Sequence, residues 1–224
     1  MKKYAVIVGG GVGKRMNSDI PKQFMTISRK PLMMHTISAF HNSIEEINII
    51  VVLPENYIDL WKKLCNEYSF NIVHKIVKGG STRFHSVKNG LKFVEKDSLV
   101  AIHDACRPVV RGNIILKSLT LAEKYGNAIP AIPINESVRK VNGENNSAFN
   151  RDILRIVQTP QTFKSNIIKK AYEQEYNQAF TDDATVVEAL GEKIHLFEGN
   201  IENIKVTTKT DLIVAENFLN KVYF

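Results

Sequence analysis

Near the start of the chain, a run of glycines is followed closely by cations. Gly9-Gly10-Gly11-Val12-Gly13 leads into Lys14 and Arg15, and Lys22 follows Pro21. A glycine loop leaves backbone N–H groups open to an anion, and nearby cations add charge, so the pair of features suits phosphate. Neither common phosphate loop fits. The P-loop pattern G-x-x-x-x-G-K-[ST] would place Gly13-Lys14 correctly, but Arg15 stands where the magnesium-holding hydroxyl belongs and Val8 where the first glycine belongs. The dinucleotide pattern G-x-G-x-x-G fails because Lys14 replaces its third glycine. A plain strand-to-helix turn would also use glycines, but it would have no use for Arg15 and Lys22.

Further along, Ile102-His103-Asp104-Ala105-Cys106-Arg107-Pro108 closes an apolar run. A carboxylate at such a strand end is desolvated on one side, which makes Asp104 a candidate magnesium ligand bridging to phosphate. Arg107 is placed to pair with Asp104 or with phosphate, since its fork suits both; a purely structural Asp–Arg pair is the alternative. In Gly79-Gly80-Ser81-Thr82-Arg83, Ser81 reads either as a helix N-cap or, with Gly80 and Ser86, as a reader of a base edge, while Arg83 can meet phosphates. Thr159-Pro160-Gln161-Thr162-Phe163 and Phe180-Thr181-Asp182-Asp183-Ala184 read as polar loops before helices, with Thr181 as an N-cap. Lys205, alone in a short apolar run, is either an edge-strand guard or a phosphate contact.

Other chemistries find little support. There is no G-x-S-x-G elbow, and the six histidines show no H-E-x-x-H spacing. Cys65 and Cys106 lack metal-ligand spacing with any histidine and fit a reducing compartment. The net charge of +7 comes from dispersed residues, without the basic block or interleaved aromatics of a nucleic-acid binder. It suits small anionic substrates, and equally a merely soluble basic protein. The first apolar run is too short for a signal peptide and no run approaches a membrane span, so a cytoplasmic protein with no membrane partner is expected.

Positioning such groups at one edge requires parallel strands. Apolar β-branched runs at 5–8, 47–53, 72–77, 99–103 and 128–134 read as strands buried on both faces, and helical patterns at 31–41, 56–68, 81–94 and 111–125 lie between them. This alternation predicts an α/β fold in a single domain over 1–224: a Rossmann-like, mostly parallel twisted sheet with helices on both faces and ligands at the strands' carboxyl ends. Residues 136–150 break the rhythm. Asn142-Gly143 between short alternating runs predicts a protruding β-hairpin with a loop lengthened by residues 144–146, steadied by packing on the domain or, preferably, on a second subunit; a disordered insert is the alternative. Toward the end, helices are expected at 164–175, 182–190 and 210–222, and strands at 193–197 and 203–207.

Taken in order, the segments resemble the 2-C-methyl-D-erythritol 4-phosphate cytidylyltransferases of non-mevalonate isoprenoid synthesis. The shared motifs are a glycine-rich loop leading to Arg15-Met16 and Pro21-Lys22-Gln23-Phe24, then Gly79-Gly80-x-x-Arg83-x-x-Ser86-Val87, His103-Asp104-Ala105-x-Arg107-Pro108, Thr159-Pro160-Gln161-x-Phe163, Thr181-Asp182-Asp183-Ala184 and Asn203-Ile204-Lys205-Val206-Thr207. The resemblance implies CTP and a polyol phosphate as substrates, a divalent cation (magnesium) as cofactor, and a homodimer. It implies that Arg15 and Lys22 stabilise the transition state and that Gly9, Gly10, Gly11 and Gly13 wrap the CTP phosphates. Gly80, Ser81 and Ser86 would read cytosine with Arg83 beside them, and Asp104 would be the magnesium-associated carboxylate with Arg107 in its loop. Ser137, Arg151 and Lys205 would hold the methylerythritol phosphate with Thr181 nearby, the segment 137–151 crossing to the partner. Gly9-Gly10 stand where Ala-Ala is more usual, Ser81 where some members carry an acid, and Ser137 where threonine is usual. Cys106 replaces a smaller residue and is expected to be a buried, unreactive thiol. A ribitol-5-phosphate cytidylyltransferase and a catalytically idle nucleotide-binding regulator are the competing readings.

Overall fold

The computed structural model describes residues 1–10 and 20–220. In chain order the described strands and helices are β1 (Lys2–Val8), β2 (Thr26–Ile27), β3 (Lys30–Pro31), α1 (Leu32–Ser43), β4 (Asn48–Leu53), α2 (Ile58–Glu67), β5 (Lys75–Lys78), α3 (Arg83–Leu91), β6 (Ser98–Asp104), α4 (Gly112–Tyr125), β7 (Asn127–Pro133), β8 (Val138–Asn142), β9 (Asn145–Phe149), β10 (Arg155–Val157), β11 (Gln161–Lys164), α5 (Ser165–Ala171), α6 (Asp183–Glu188), β12 (Leu196–Glu198) and α7 (Lys209–Asn220).

One eight-stranded sheet runs β10-β7-β11-β6-β1-β4-β5, with β12 also paired to β7. Strands β1, β4, β5, β6, β7 and β12 share one direction, and β10 and β11 run against it. The expected Rossmann-like, mostly parallel sheet is therefore present. The alternation along β1 shows why both faces are covered. Tyr4, Val6 and Val8 pack with Val87 of α3, Ile168 of α5 and Val187 of α6. Ala5 and Ile7 pack with Ile37 of α1, Trp61 of α2 and Leu119 of α4 on the other face. Val6 and Ile7 are fully buried, and each such side chain removed from water contributes about 1.5–3 kcal/mol. At the end of α4, Gly126 takes φ +90°, a left-handed helix stop that glycine adopts without strain.

Several local expectations are corrected. Residues 159–163 are not a loop: Gln161–Lys164 forms β11, buried between β6 and β7. The sequence signal was weak because its buried positions include Gln161 and Thr162, polar residues that a strand core seldom takes. Strands β10 and β11 both run antiparallel to β7, separated only by Gln158-Thr159-Pro160. Gln158 N donates to Pro130 O at 2.8 Å across that break. Residues 203–207 do not form the expected strand; Val206 N donates once, to Cys106 O at 2.9 Å, and no ladder follows. The hairpin of β8 and β9 turns tightly on Gly143-Glu144, with Asn142 opposite Asn145, so the loop is shorter than expected. Gly143 has φ +60°, which lets a two-residue turn follow the strands' twist.

Candidate active site

Strands β1, β4, β5 and β6 end together at one edge, and their last residues lead directly into the polar loops. Val8 of β1 lies opposite Asp104 of β6, so the first glycine of the loop begins beside that carboxylate. Gln23 Nε2 donates to Gly9 O at 2.7 Å. That bond ties the short 3-10 turn Lys22–Phe24 to the same edge, while Phe24 buries against Tyr57 and Trp61 at ring distances of 5.8 and 6.2 Å. Gln23 and Phe24 are thus the anchors that present Lys22. Arg15, Gly11 and Gly13 lie outside the described residues.

The second glycine loop meets the first through Ser86. Its Oγ accepts from Gly80 N at 3.1 Å and donates to Thr82 O at 2.9 Å. A Cβ at Gly10 would lie 3.4 Å from that oxygen, and one at Gly80 would lie 2.3 Å from His85 Cβ. Glycine is therefore required at Gly80 for the backbone to pass this close to α3. Ser81 is not the N-cap of α3. Thr82 has the extended backbone and accepts from His85 N at 3.3 Å, leaving Ser81 exposed with its Oγ 3.3 Å from His85 Nδ1.

Asp104 is the electrostatic centre. Lys205 Nζ lies 2.9 Å from Oδ2, Arg107 Nε lies 3.4 Å from Oδ2, and Arg83 Nε lies 3.4 Å from Oδ1. Burial alone would raise its pKa, but Arg83, Lys205 and Arg107 outweigh that and hold the carboxyl well below the usual range. Lys22 faces the same group of charges, since it acts together with Lys205 and Arg107 on the Cys106 thiol. Burial, with Asp104 adding, pushes that thiol up, and Cys106 is buried as the sequence led us to expect.

The three-residue link between β10 and β11 serves this centre. Thr159 Oγ1 accepts from Asp104 N at 3.1 Å and contacts His103 Nδ1 at 3.0 Å, while His103 Nε2 contacts Arg107 O at 3.1 Å. Burial lowers the His103 pKa to about 4, so the ring is neutral at pH 7 and acts as a strut. Arg107 Nη1 donates to Asn203 O at 2.7 Å, and Asn203 Nδ2 donates to Thr159 O at 2.7 Å. Asn203 and Val206 are buried and Lys205 between them is exposed. The segment is thereby pinned from both sides with the Lys205 ammonium over Asp104. Because 203–207 is not a strand, the edge-guard reading of Lys205 is excluded.

Thr181 does not cap α6. Asp182 does, accepting from Thr185 N at 2.9 Å while Asp182 N donates to Thr185 Oγ1 at 3.2 Å. Asp182 wins because it sits immediately before the first helical residue. Thr181 stays exposed at the rim. Gln161 Nε2 donates to Asp182 Oδ2 at 2.7 Å and its Oε1 accepts from Ala184 N at 2.8 Å, locking α6 to β11. Together Arg83, Asp104, Arg107, Thr159, Thr181 and Lys205 line a cleft of about 240 Å³. Ser137 and Arg151 are not among its lining residues. Ser137 is exposed just before β8, and Arg151 follows β9 and donates to Asn135 O.

Gln23, Thr159, Gln161, Asp183 and Asn203 belong to the site but had no assigned role in the sequence; their one signal was membership of the same short motifs. Among the described residues no three His, Cys, Asp or Glu side chains gather to hold a metal ion. A hard divalent cation would fit Asp104, a carboxylate that lines the cleft, with phosphates and water completing its shell. No helix of the described residues is long and apolar enough to cross a membrane.

The model of the family described as 2-C-methyl-D-erythritol 4-phosphate cytidylyltransferase matches residues 4–221. Proteins of that name from Bacteroides thetaiotaomicron and Bacteroides fragilis are 45% and 47% identical to this chain, each over 98% of it and 100% of the relative. Among solved structures, the 4-diphosphocytidyl-2C-methyl-D-erythritol synthase of Anaerococcus prevotii superposes with a TM-score of 0.82 at 27% identity, covering 98% of this chain and 99% of that one. The 2-C-methyl-D-erythritol 4-phosphate cytidylyltransferase of Thermus thermophilus gives 0.79 at 27% identity, covering 98% and 100%. By the family match over nearly its whole length and these full-length relatives, the chain belongs to the 2-C-methyl-D-erythritol 4-phosphate cytidylyltransferase family of nucleotidyltransferases.

Proposed function

We propose that this enzyme joins CTP and 2-C-methyl-D-erythritol 4-phosphate, giving the CDP-linked alcohol and pyrophosphate. The observation that carries the reading is the Asp104 carboxylate, held by Lys205, Arg83 and Arg107 beside the first glycine of the loop. The acceptor phosphate is already a nucleophile, so the reaction needs neither a covalent residue nor a strong base. It needs two anions brought together and charge neutralised on the α-phosphate and the departing pyrophosphate.

In this reading the loop from Gly9 to Gly13 cradles the CTP phosphates, and Arg15 and Lys22 neutralise charge on the α-phosphate. Gly80, Ser81 and Ser86 meet the base. Asp104 would hold a magnesium ion, which when bound would supply charge neutralisation for the polyphosphate. Lys205 and Thr181 receive the acceptor from the other side of the cleft. Pyrophosphate release from CTP, with 2-C-methyl-D-erythritol 4-phosphate and ribitol 5-phosphate offered in turn, tests the assignment. Preference for the first is expected, and preference for ribitol 5-phosphate would overturn it.

The protein acts as a homodimer in the same reading, with Ser137 and Arg151 completing the partner's acceptor site. Support comes from the hairpin, which pairs with no strand of the main sheet, and from Val141 and Ile153, which are 69% and 70% exposed near it. Deleting residues 136–150 should convert the dimer to a monomer in sedimentation; an unchanged dimer would remove the arm as its basis.

A further inference from the structure

We infer that Asp183 is a positioning residue which, through Arg83, sets the Asp104 carboxylate for its cation, and that Arg83 is not a phosphate ligand. Arg83 Nη1 and Nη2 donate to Asp183 Oδ1 and Oδ2 at 2.8 and 2.7 Å, a fork-to-fork pair. Its Nε faces Asp104 Oδ1 at 3.4 Å. One guanidinium therefore spans two carboxylates, its outer edge spent on the first and its inner nitrogen on the second.

Asp183 is fully buried. Its Oδ1 also accepts from Tyr172 Oη at 2.6 Å. The Tyr172 ring stacks on Phe84, the residue after Arg83, at 4.7 Å. If Arg83 swung away to take a phosphate, it would leave a buried carboxylate with only a tyrosine hydroxyl, a strongly unfavourable state. The pair instead stays closed and joins three pieces of the site. Arg83 begins α3, which carries Ser86; Asp183 begins α6, directly after Thr181 and Asp182; Asp104 ends β6. The starts of α3 and α6 and the end of β6 are thus joined through one guanidinium, part-exposed itself, whose doubly bonded partner Asp183 is buried.

A structural pair and a positioning pair differ in what happens when both charges are removed together. Asp183→Asn should raise the magnesium concentration needed to tighten CTP binding by about 10–100-fold, the range for groups that orient a metal ligand. Its affinity for metal-free CTP should stay within about threefold of wild type, a small change on this scale. The double variant Arg83→Met, Asp183→Leu replaces the pair by apolar groups of similar size and should recover the melting temperature lost in Asp183→Asn. Its magnesium requirement and its turnover should nevertheless remain impaired.

Calorimetric titration of CTP with and without magnesium, beside thermal unfolding, reads these outcomes. Recovery of the magnesium response together with stability in the double variant would show the pair to be merely structural and overturn the inference. A loss of metal-free CTP affinity of about tenfold or more in the double variant would make Arg83 a phosphate ligand and overturn it equally. The inference rests on the nucleotidyl-transfer reading for CTP as ligand but not on the identity of the acceptor. CTP binding therefore tests it separately from pyrophosphate release.

Discussion

Lys22→Ala is expected to lower kcat by about 10²–10³-fold, the cost of removing one preorganised electrostatic donor from a developing charge. The fold should be unaffected. The turn that carries Lys22 is held by Gln23 Nε2 on Gly9 O and by Phe24 in the core. Among the described residues no ion pair engages the Lys22 side chain. A charge presented at a strand edge by buried neighbours, yet used by none of them, is what substrate-directed chemistry requires. Steady-state kinetics beside thermal unfolding are the check. A fall in kcat at unchanged melting temperature supports the role. Turnover near wild type would reject it, and a matching loss of stability would make Lys22 a structural residue.

Asp104→Asn should affect both stability and activity. It removes the one carboxylate shared by Lys205, Arg107 and Arg83, of which only Arg83 keeps another anion, Asp183. Breaking a buried pair from one side costs about 3–5 kcal/mol. Lys205 is 42% exposed, which screens its part, so about 3 kcal/mol is expected, or roughly 6–12 °C in melting temperature for a chain of this size. The pH dependence follows from the lowered carboxyl pKa. Such a group stabilises the fold above its unfolded value of about 3.9, and its contribution is lost as the pH falls below that value. The gap between wild type and variant should therefore be constant from pH 7 to about 5 and narrow in more acid solution. Turnover should fall by about 10²–10³-fold. Metal-free CTP should bind at least as tightly as to wild type, because Lys205 and Arg107 lose their internal anion. Magnesium should no longer improve binding. A preserved magnesium effect would remove Asp104 from the metal's shell.

The two variants probe parts of the site that differed in legibility. Lys22 stood out in the sequence because a cation after Pro21, close behind a glycine loop, has no role in a turn. Asp104 stood out because a carboxylate ending an apolar run must face the edge of a parallel sheet. The periodicity of 5–8 and 47–53 likewise named β1 and β4, since strands buried on both faces leave few polar residues to confuse the pattern. β11 was missed for the opposite reason. Gln161 and Thr162 are polar, and their burial is tolerated only because α6 supplies partners to Gln161 and Ser118 to Thr162. Local pattern cannot announce partners that lie far along the chain. A related limit put two N-caps one residue early, at Ser81 and Thr181. The caps are Thr82 and Asp182, chosen by backbone angles that the residue types alone do not set.

The sequence by itself determined the parallel α/β frame, the glycine loops at its carboxyl edge and the ordered motifs that mark a cytidylyltransferase. The frame and the loops follow from hydrophobic periodicity and residue type, which are local properties, and the motifs mark the chain through resemblance to a known family. Only the tertiary structure decided how the charges are shared. Lys205 and Asp104 are far apart in sequence yet lie 2.9 Å from each other, and Arg83 divides its guanidinium between Asp104 and Asp183. The same four charges could have formed other pairs. Burial of Asp183, the pinned segment at 203–207 and the link through Thr159 select this one, because each alternative would leave a desolvated charge without a partner.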